Sequence, residues 1–380
     1  MPLAASFVLL HFVFNINPSM KSISKILCTT LIIGAMCSCG NKHQFTINGT
    51  VEGEEINGTT VYLVNGSDIV DSATVADGMF SFTGTVEEPW IAMVANDFFG
   101  QQCVVEPGVI NVTAETIGGT PLNDSLQSFA NSNDMSDLEN ELKTYLQLYY
   151  AAPDAEMRAQ AEHLYDSVEA IATARTLEGA WRLYRSNGDN ILGAYAMNII
   201  GQTDNLTFSQ FDSILSNASP VVKAYKPVSR KLEQLKAVES TSAGKHYTDI
   251  QGVDGKLSDL IDGKLALVDF YASWCGPCRA EIKDNLVPLW KKYQNKGLVI
   301  VGLNVWERGS REEREAAHAK VMADLGITYP QLVDSTRTAT DTYGVMGIPQ
   351  IMLIGPDGTI LARDLRGAAI EEAIVNALGK

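Results

Sequence analysis

The sequence is short of positive charge and of cysteine, and each shortage excludes a class of protein. Its 380 residues carry 29 lysines and arginines against 45 aspartates and glutamates, a net charge of −16. With no basic stripe to neutralise phosphates, we predict neither nucleic-acid binding nor adsorption to anionic lipid headgroups. The 6 cysteines are too unevenly spread to form the framework of a small disulfide-stapled domain. The length predicts two or three domains.

The N-terminal segment lacks the roughly 20 consecutive apolar residues that a membrane-spanning helix needs. Ile26–Met36 is apolar and follows two positive charges, Lys21 and Lys25, as in the central part of a secretory signal. We therefore interpret residues 1–39 as an export segment and expect translation to begin at Met20. The rest of the protein is then predicted to work outside the cytoplasm.

Small residues follow this apolar run, and the sequence Met36–Asn41 resembles a bacterial lipobox. The resemblance implies that Cys39 is lipidated and becomes the mature N-terminus, with Cys37 as a rival site. Cleavage without lipidation and an uncleaved anchor are the alternatives. The favoured interpretation is a lipid-anchored protein on the periplasmic side of the cell envelope.

Residues 43–118 alternate short β-prone runs with turn dipeptides and predict a small antiparallel β-sandwich. The dipeptides tolerate the positive φ of tight hairpins and are Asn48-Gly49, Asn57-Gly58, Asn65-Gly66 and Asp77-Gly78. The stretches "FTINGTV" and "DSATVADGMFSFTGTVEEP" resemble a domain of unknown function that commonly lies between a lipoprotein signal and a thioredoxin-like domain. Cys103 has apolar and β-prone neighbours, which favours a buried, inert thiol over a redox role.

Residues 121–240 have few glycines, and their apolar residues recur at helical spacing. We predict helices there. One stripe contains Leu138, Leu142 and Tyr149, and another contains Leu164, Val168, Ile171 and Ala172. Glu239–Gly244 is predicted to be the linker to the last domain.

Residues 245–380 alternate buried strands with helices, so we predict an α/β domain whose sheet is covered on both faces. The predicted strands are Leu265–Tyr271, Leu298–Val305, Ile351–Ile354 and Ile360–Asp364. The predicted helices run from the CGPC sequence to about Asn295 and over Arg311–Leu325, Thr336–Tyr343 and Ala368–Leu378. This order, with "VDFYASWCGPCR" and "GIPQ" at the matching places, closely resembles the thioredoxin fold. It is most similar to the exported, membrane-tethered thiol–disulfide oxidoreductases that include the cytochrome c maturation reductases.

The resemblance implies a role for each residue of the motif. The nucleophile is Cys275, whose thiolate a helix N-terminus stabilises, and Cys278, one turn further, resolves the mixed disulfide. The buried carboxyl of Asp269 exchanges a proton with Cys278, and Glu281 matches a second acid of the exported reductases. The substrate-contacting residues are expected to be Trp274 and the cis-proline loop Ile348-Pro349. The family's proline two residues after that acid is replaced by Lys283, which leaves the local helix kink open.

The favoured function is reduction of disulfides in exported client proteins, because the Gly276-Pro277 dipeptide is that of thioredoxin, with its potential of about −270 mV. A membrane electron-importing thiol reductase is the expected second partner, and no cofactor or metal is expected beyond the Cys275–Cys278 pair. The same pair could also serve a disulfide oxidase or isomerase. A surface-binding lipoprotein with a passenger thioredoxin domain is the remaining alternative.

Overall fold

The structure is a computed structural model that describes residues 43–379. It separates into two compact units. The first contains the described residues up to Asn205 together with Ile214–Val228, and the second contains Leu206–Ser213 and the residues from Ser229 onward. No helix in the described part of the chain has the length and apolar character needed to cross a membrane.

The first unit begins with eight strands that form two four-stranded sheets. In chain order they are β1 Gln44–Thr50, β2 Thr60–Asn65, β3 Asp68–Thr74, β4 Met79–Thr85, β5 Trp90–Ala95, β6 Gly100–Val105, β7 Gly108–Val112 and β8 Ile117–Gly118. The sheet orders are β4-β1-β7-β8 and β3-β2-β5-β6. The predicted antiparallel β-region is therefore present.

One strand pair departs from the antiparallel pattern, because β1 pairs with β7 in parallel. A parallel pair cannot be joined by a tight hairpin and needs a long crossover. Strands β2–β6 supply that crossover, so the two sheets are interleaved along the chain. Alternate residues of these strands are buried, among them Ile47, Phe82 and Ile110.

Helices follow from Pro121 to Ser240. They are α1 Pro121–Ser132, α2 Ser136–Ala151, α3 Ala155–Asn187, α4 Ile191–Thr203, α5 Phe208–Ser216, α6 Pro220–Ala224 and α7 Lys226–Ser240. The stripe of α2 is confirmed, since Leu138, Leu142 and Tyr149 are buried together with Tyr165 of α3. The stripe predicted on α3 is partly wrong. Leu164 and Ile171 are exposed, because the buried face of this 33-residue helix passes through Tyr165, Val168 and Ala172 instead.

The second unit contains the α/β domain. Its elements are β9 Gln251–Gly252, β10 Gly255–Lys256, α8 Leu257–Ile261, β11 Leu265–Tyr271, α9 Gly276–Glu281, α10 Val287–Tyr293, β12 Leu298–Asn304, α11 Arg311–Leu325, β13 Gln331–Val333, α12 Thr338–Tyr343, β14 Gln350–Ile354, β15 Ile360–Ala362 and α13 Ala368–Leu378. The main sheet has the order β13-β12-β11-β14-β15. The thioredoxin-like fold predicted from the sequence is confirmed.

Both faces of this sheet are covered, as predicted. On β11, Leu265, Leu267 and Tyr271 face a core that includes Ile282 and Ile370 of the flanking helices. The alternate residues Ala266, Val268 and Phe270 face a second core that includes Ala339 and Tyr343 of α12. The central strand is thus buried on both sides, which explains its continuous apolar sequence.

A single π-helical turn, Ile282–Leu286, separates α9 from α10. Val287 accordingly donates its N–H to the carbonyl of Ile282, five residues earlier. Pro288 explains the irregularity, because a proline has no N–H for the carbonyl four residues before it and its ring clashes with that carbonyl. The helix is thus irregular even though the family's proline is absent at Lys283.

Candidate active site

The two cysteines of the CGPC sequence lie at the N-terminus of α9. Cys275 is the N-cap residue, and its Sγ accepts the backbone N–H of Cys278 at 3.2 Å. The structure contains a disulfide between them. Cys275 is 5% exposed and Cys278 0%. The more accessible sulfur is thus the one at the helix N-terminus, where free N–H groups and the helix dipole stabilise a thiolate.

The loop before Cys275 is held by Glu307, a residue that sequence reasoning missed. One carboxylate oxygen accepts the N–H of Ser273 at 2.6 Å and the side-chain amide of Asn304 at 2.7 Å, and the other accepts the Ser273 hydroxyl at 2.6 Å. These charge-assisted hydrogen bonds fix the turn between β11 and α9. The position of Glu307, just after β12, is the only sequence signal that could have suggested this role, since β11 and β12 are neighbours.

Asp269 lies on the central strand, β11. The alternation of β11 places its side chain on the face of Leu267 and Tyr271, whose core also contains both cysteines. It is 1% exposed, and neither carboxyl oxygen has a hydrogen-bond partner among the described residues. Burial therefore raises the pKa of Asp269 from 3.8 to about 8. A carboxyl with that pKa can hold or release a proton near neutral pH.

Two charged groups modify this effect of burial. Arg366 lowers the pKa of Asp269 by attraction, and Glu281 raises it by repulsion. Glu281 is itself fixed, because its Oε1 accepts the side-chain amide of Asn285 at 2.8 Å and the N–H of Gly367 at 3.0 Å. The second predicted acid is therefore in the electrostatic environment of the first and is more than a surface residue of the helix.

The loop before β14 lies beside Cys275. The Ile348–Pro349 peptide bond is cis, as the family resemblance predicts. The carbonyl oxygen of Ile348 is 3.8 Å from Cys275 Sγ. Arg366 donates hydrogen bonds to the carbonyls of Pro349 and Leu365. Arg366 is a second residue that sequence reasoning missed, because nothing in its sequence neighbourhood indicates a contact with a loop 17 residues earlier.

Trp274 is exposed beside the cysteine pair, as are Gly276 and Pro277 between the two cysteines. It is 44% exposed, and its Nε1 donates to the carbonyl oxygen of Trp306 at 2.9 Å. The structure thus brings Trp274, Cys275 and the Ile348-Pro349 loop to one end of the domain. Cys39, the predicted lipidation site, lies outside the described residues.

The third cysteine of the described residues, Cys103, is not part of the redox pair. Cys103 on β6 is fully buried, and burial raises the pKa of its thiol from 9.0 to about 12. The predicted burial of this thiol is confirmed, and its raised pKa favours an inert role. Within residues 43–379, no group of three or more His, Cys, Asp or Glu side chains is arranged to hold a metal ion.

Comparison with known families matches two parts of the chain. Residues 236–363 match the AhpC/TSA family. Residues 45–126 match a domain of unknown function, DUF4369. The second match agrees with the resemblance inferred from the turn and strand pattern of the β-rich region, and it assigns no chemistry to that region.

Curated relatives are similar to the second unit. The thiol-disulfide oxidoreductase ResA of Bacillus subtilis is 30% identical over 127 residues, which are 32% of this chain and 67% of that protein. The thiol:disulfide interchange protein HelX of Rhodobacter capsulatus is 34% identical over 122 residues, which are 32% of this chain and 62% of that protein. The chain thus spans less than two thirds of HelX.

Solved structures are similar over the same part. A putative thiol:disulfide interchange protein DsbE from Chlorobium tepidum is 28% identical and covers 37% of this chain and 97% of that chain, with a TM-score of 0.31. The ResA match covers two thirds of that protein, and the site contains the paired cysteines, the buried Asp269 and the cis-proline loop. These observations identify the chemistry as thiol–disulfide exchange. The chain belongs to the thioredoxin-like thiol–disulfide oxidoreductases.

Proposed function

We propose that the protein reduces disulfides in exported client proteins, with Cys275 as the nucleophile. The observation that carries this proposal is the buried, unpartnered carboxyl of Asp269 on the face of the sheet that also packs against Cys275 and Cys278. A purely structural disulfide needs no proton acceptor beneath it. A dithiol that must lose and regain protons in each cycle does.

The first step is attack of the Cys275 thiolate on one sulfur of the client disulfide. A bond forms between Cys275 and that sulfur, the client disulfide breaks, and the second client sulfur leaves as a thiolate that takes a proton from water. The free N–H groups at the start of α9 stabilise the attacking thiolate. The backbone beside the cis proline, whose Ile348 carbonyl lies 3.8 Å from Cys275 Sγ, offers hydrogen-bonding groups to an extended client segment.

The second step resolves the mixed disulfide. The Cys278 thiol gives its proton to the Asp269 carboxylate and attacks Cys275 Sγ. The Cys275–Cys278 disulfide forms and the client leaves with both of its sulfurs reduced. Two electrons have moved from the protein to the client. A pKa of about 8 suits Asp269 to this transfer, because the carboxyl then exchanges its proton readily near neutral pH.

The oxidised pair must be reduced again before the next turnover. We propose that a membrane thiol reductase supplies the two electrons by the same exchange chemistry, since an oxidising compartment does not regenerate dithiols. Anchoring through a lipid on Cys39 would keep the domain at the periplasmic side of the envelope, near both that donor and membrane-bound clients. Apocytochromes c present Cys-X-X-Cys-His segments. They are one class of client that is consistent with the similarity of this chain to ResA and HelX.

Trapping in living cells tests the proposal. The Cys278→Ala variant is expected to accumulate mixed disulfides at Cys275, because the resolving thiol is missing. The Cys275→Ala/Cys278→Ala variant is the matched control and should trap nothing. In the wild type, acid quenching and thiol labelling should find the pair mostly reduced. A mostly oxidised pair that passes its disulfide to clients would contradict the reductase assignment.

A further inference from the structure

We propose that the surface beside Cys275 binds acidic client segments through Arg308 and Arg337. This inference rests on the proposed reductase function and specifies its client class. The surface, named here the arginine rim, consists of Trp274, Trp306, Arg308 and Arg337.

Arg308 lies over the indole of Trp274. Its Cζ is 4.2 Å from the ring centroid, within the range of a cation–π interaction. Trp274 immediately precedes Cys275 and is 44% exposed. The guanidinium is therefore held on the residue that precedes the nucleophile, and its N–H groups remain available for a ligand.

Arg337 repeats the arrangement on the second tryptophan. Its Cζ is 5.7 Å from the centroid of the Trp306 ring. The Trp306 indole donates to Thr340 Oγ1 at 3.2 Å, and its backbone has a φ of +55°, a conformation that is rare for a bulky residue. The Trp306 carbonyl in turn accepts the Trp274 indole N–H at 2.9 Å. Hydrogen bonds thus hold both indoles in place, and those surroundings fix Trp306 in a backbone conformation that is otherwise unfavourable.

Two acidic residues close to the arginines in sequence, Glu307 and Asp334, use their carboxylates on other partners. Glu307 uses both carboxylate oxygens on Ser273 and Asn304. Asp334, which is 6% exposed, accepts the N–H of Ala339 and the Thr336 hydroxyl. Among the described residues, no carboxylate lies within ion-pairing distance of Arg308 or Arg337, both of which are exposed.

Charge complementarity therefore identifies the client. The protein has a net charge of −16 and repels acidic polypeptides in general. Two unpaired arginines lie on tryptophans that are hydrogen-bonded to each other, one of which precedes Cys275 in the chain, and their local attraction would orient a carboxylate-bearing segment toward Cys275. Guanidinium groups suit carboxylates because they can donate two parallel hydrogen bonds. The preferred client is a disulfide flanked by Asp or Glu.

The test uses the full-length reduced protein and two disulfide-bonded peptides that differ only in flanking Asp or Lys residues. We expect the acidic peptide to be reduced roughly three- to tenfold faster at low salt, with the preference disappearing at high salt. The Arg308→Gln/Arg337→Gln variant should lose the preference. The Arg308→Lys/Arg337→Lys variant should keep most of it, which separates the effect of charge from that of altered packing.

The matched control is Lys291→Gln/Lys296→Gln, which removes the same charge from α10 and the turn that follows it. Its ratio of acidic to basic peptide rates should equal that of the wild type. Equal rates with both peptides, or a preference that survives in Arg308→Gln/Arg337→Gln, would overturn the client assignment. Failure of the wild type to reduce a neutral disulfide such as hydroxyethyl disulfide would instead overturn the proposed function.

Discussion

The guanidinium of Arg366 donates a hydrogen bond to the carbonyl of Pro349. Arg366, two residues before α13, is thereby tied to the cis-proline loop beside Cys275. The next residue, Gly367, donates its N–H to Glu281 on the helix that carries the cysteines. The cis-proline loop, α9 and the residues before α13 are distant in sequence and meet around Asp269. The effect of a substitution in any of them can be tested by measuring the protonation of the Asp269 carboxyl.

Asp269 should make the protein less stable as the pH rises. Its pKa is 3.8 when exposed and about 8 in the folded protein. Below pH 4 both states hold the proton, but between about pH 4 and 8 the unfolded state has lost it while the folded state has not. The free energy of unfolding should fall by about 1.4 kcal/mol per pH unit across that window and level off above it. Asp269→Asn should lack this slope in denaturant titrations of the oxidised protein.

Replacing Arg366 by methionine should raise the pKa of Asp269 further, because the attraction that favours the carboxylate is lost. The pH at which the slope of stability levels off should then move upward. The carboxyl stretching band of Asp269 in infrared titrations measures the same quantity directly. Arg366→Lys keeps the charge and should stay near the wild type. If the titration midpoint of Asp269 is unchanged in Arg366→Met, the guanidinium does not affect that carboxyl and only holds the cis-proline loop.

Replacing Glu281 by glutamine should have the opposite effect and lower the pKa of Asp269. The like charge that raises the pKa of Asp269 is removed, while the amide oxygen can still accept the N–H of Gly367. The infrared midpoint should move down and resolution of the mixed disulfide should show a correspondingly lower pH midpoint. A shift in the same direction as that of Arg366→Met would contradict the electrostatic explanation.

Glu307→Ala should loosen the turn before Cys275. Three hydrogen bonds to a charged acceptor disappear, which should cost about 2 kcal/mol of the free energy of unfolding. Because Trp274 follows the released Ser273, kcat/KM for a peptide disulfide should fall roughly tenfold. Glu307→Gln still accepts the Ser273 N–H and should recover part of both losses. Equal activity of the alanine variant and the wild type would exclude a positioning role.

Cys103 should be chemically silent in the folded protein. Its full burial and raised pKa predict no reaction with iodoacetamide until the chain is denatured. Cys103→Ala should leave disulfide reduction unchanged and lower the free energy of unfolding by about 1 kcal/mol. Rapid labelling of the native thiol, measured by mass spectrometry, would contradict the inert assignment.

Much of the second unit was predictable because its strands are buried on both faces and read as continuous apolar runs. Leu265–Tyr271 was predicted with its observed bounds, as were Arg311–Leu325 and Ala368–Leu378. Strand β13, only three residues long, carries no comparable pattern. The first unit was harder, because β3 is exposed along nearly its whole length and has no apolar face to reveal it.

The site was predictable only where a motif marked it. Cys275, Cys278 and Asp269 stand within one short segment, and their surroundings follow from the strand and helix that flank them. Glu307 and Arg366 act through long-range contacts with Ser273 and Pro349, which depend on the neighbouring strands and the returning chain. Such contacts have no local pattern, so single-sequence reasoning cannot find them.

The parallel pairing of β1 with β7 also determines when the first unit can fold. Strand β1 is central in its sheet, but its partners end at Thr85 and Val112. A chain made from its N-terminus must hold Gln44–Thr50 unpaired until those later strands exist, and closing so long a loop slows folding. During that interval the unpaired backbone N–H and C=O groups of β1 can pair with any other extended chain. Among the strands of the first unit, β1 is therefore exposed to wrong pairing for the longest time.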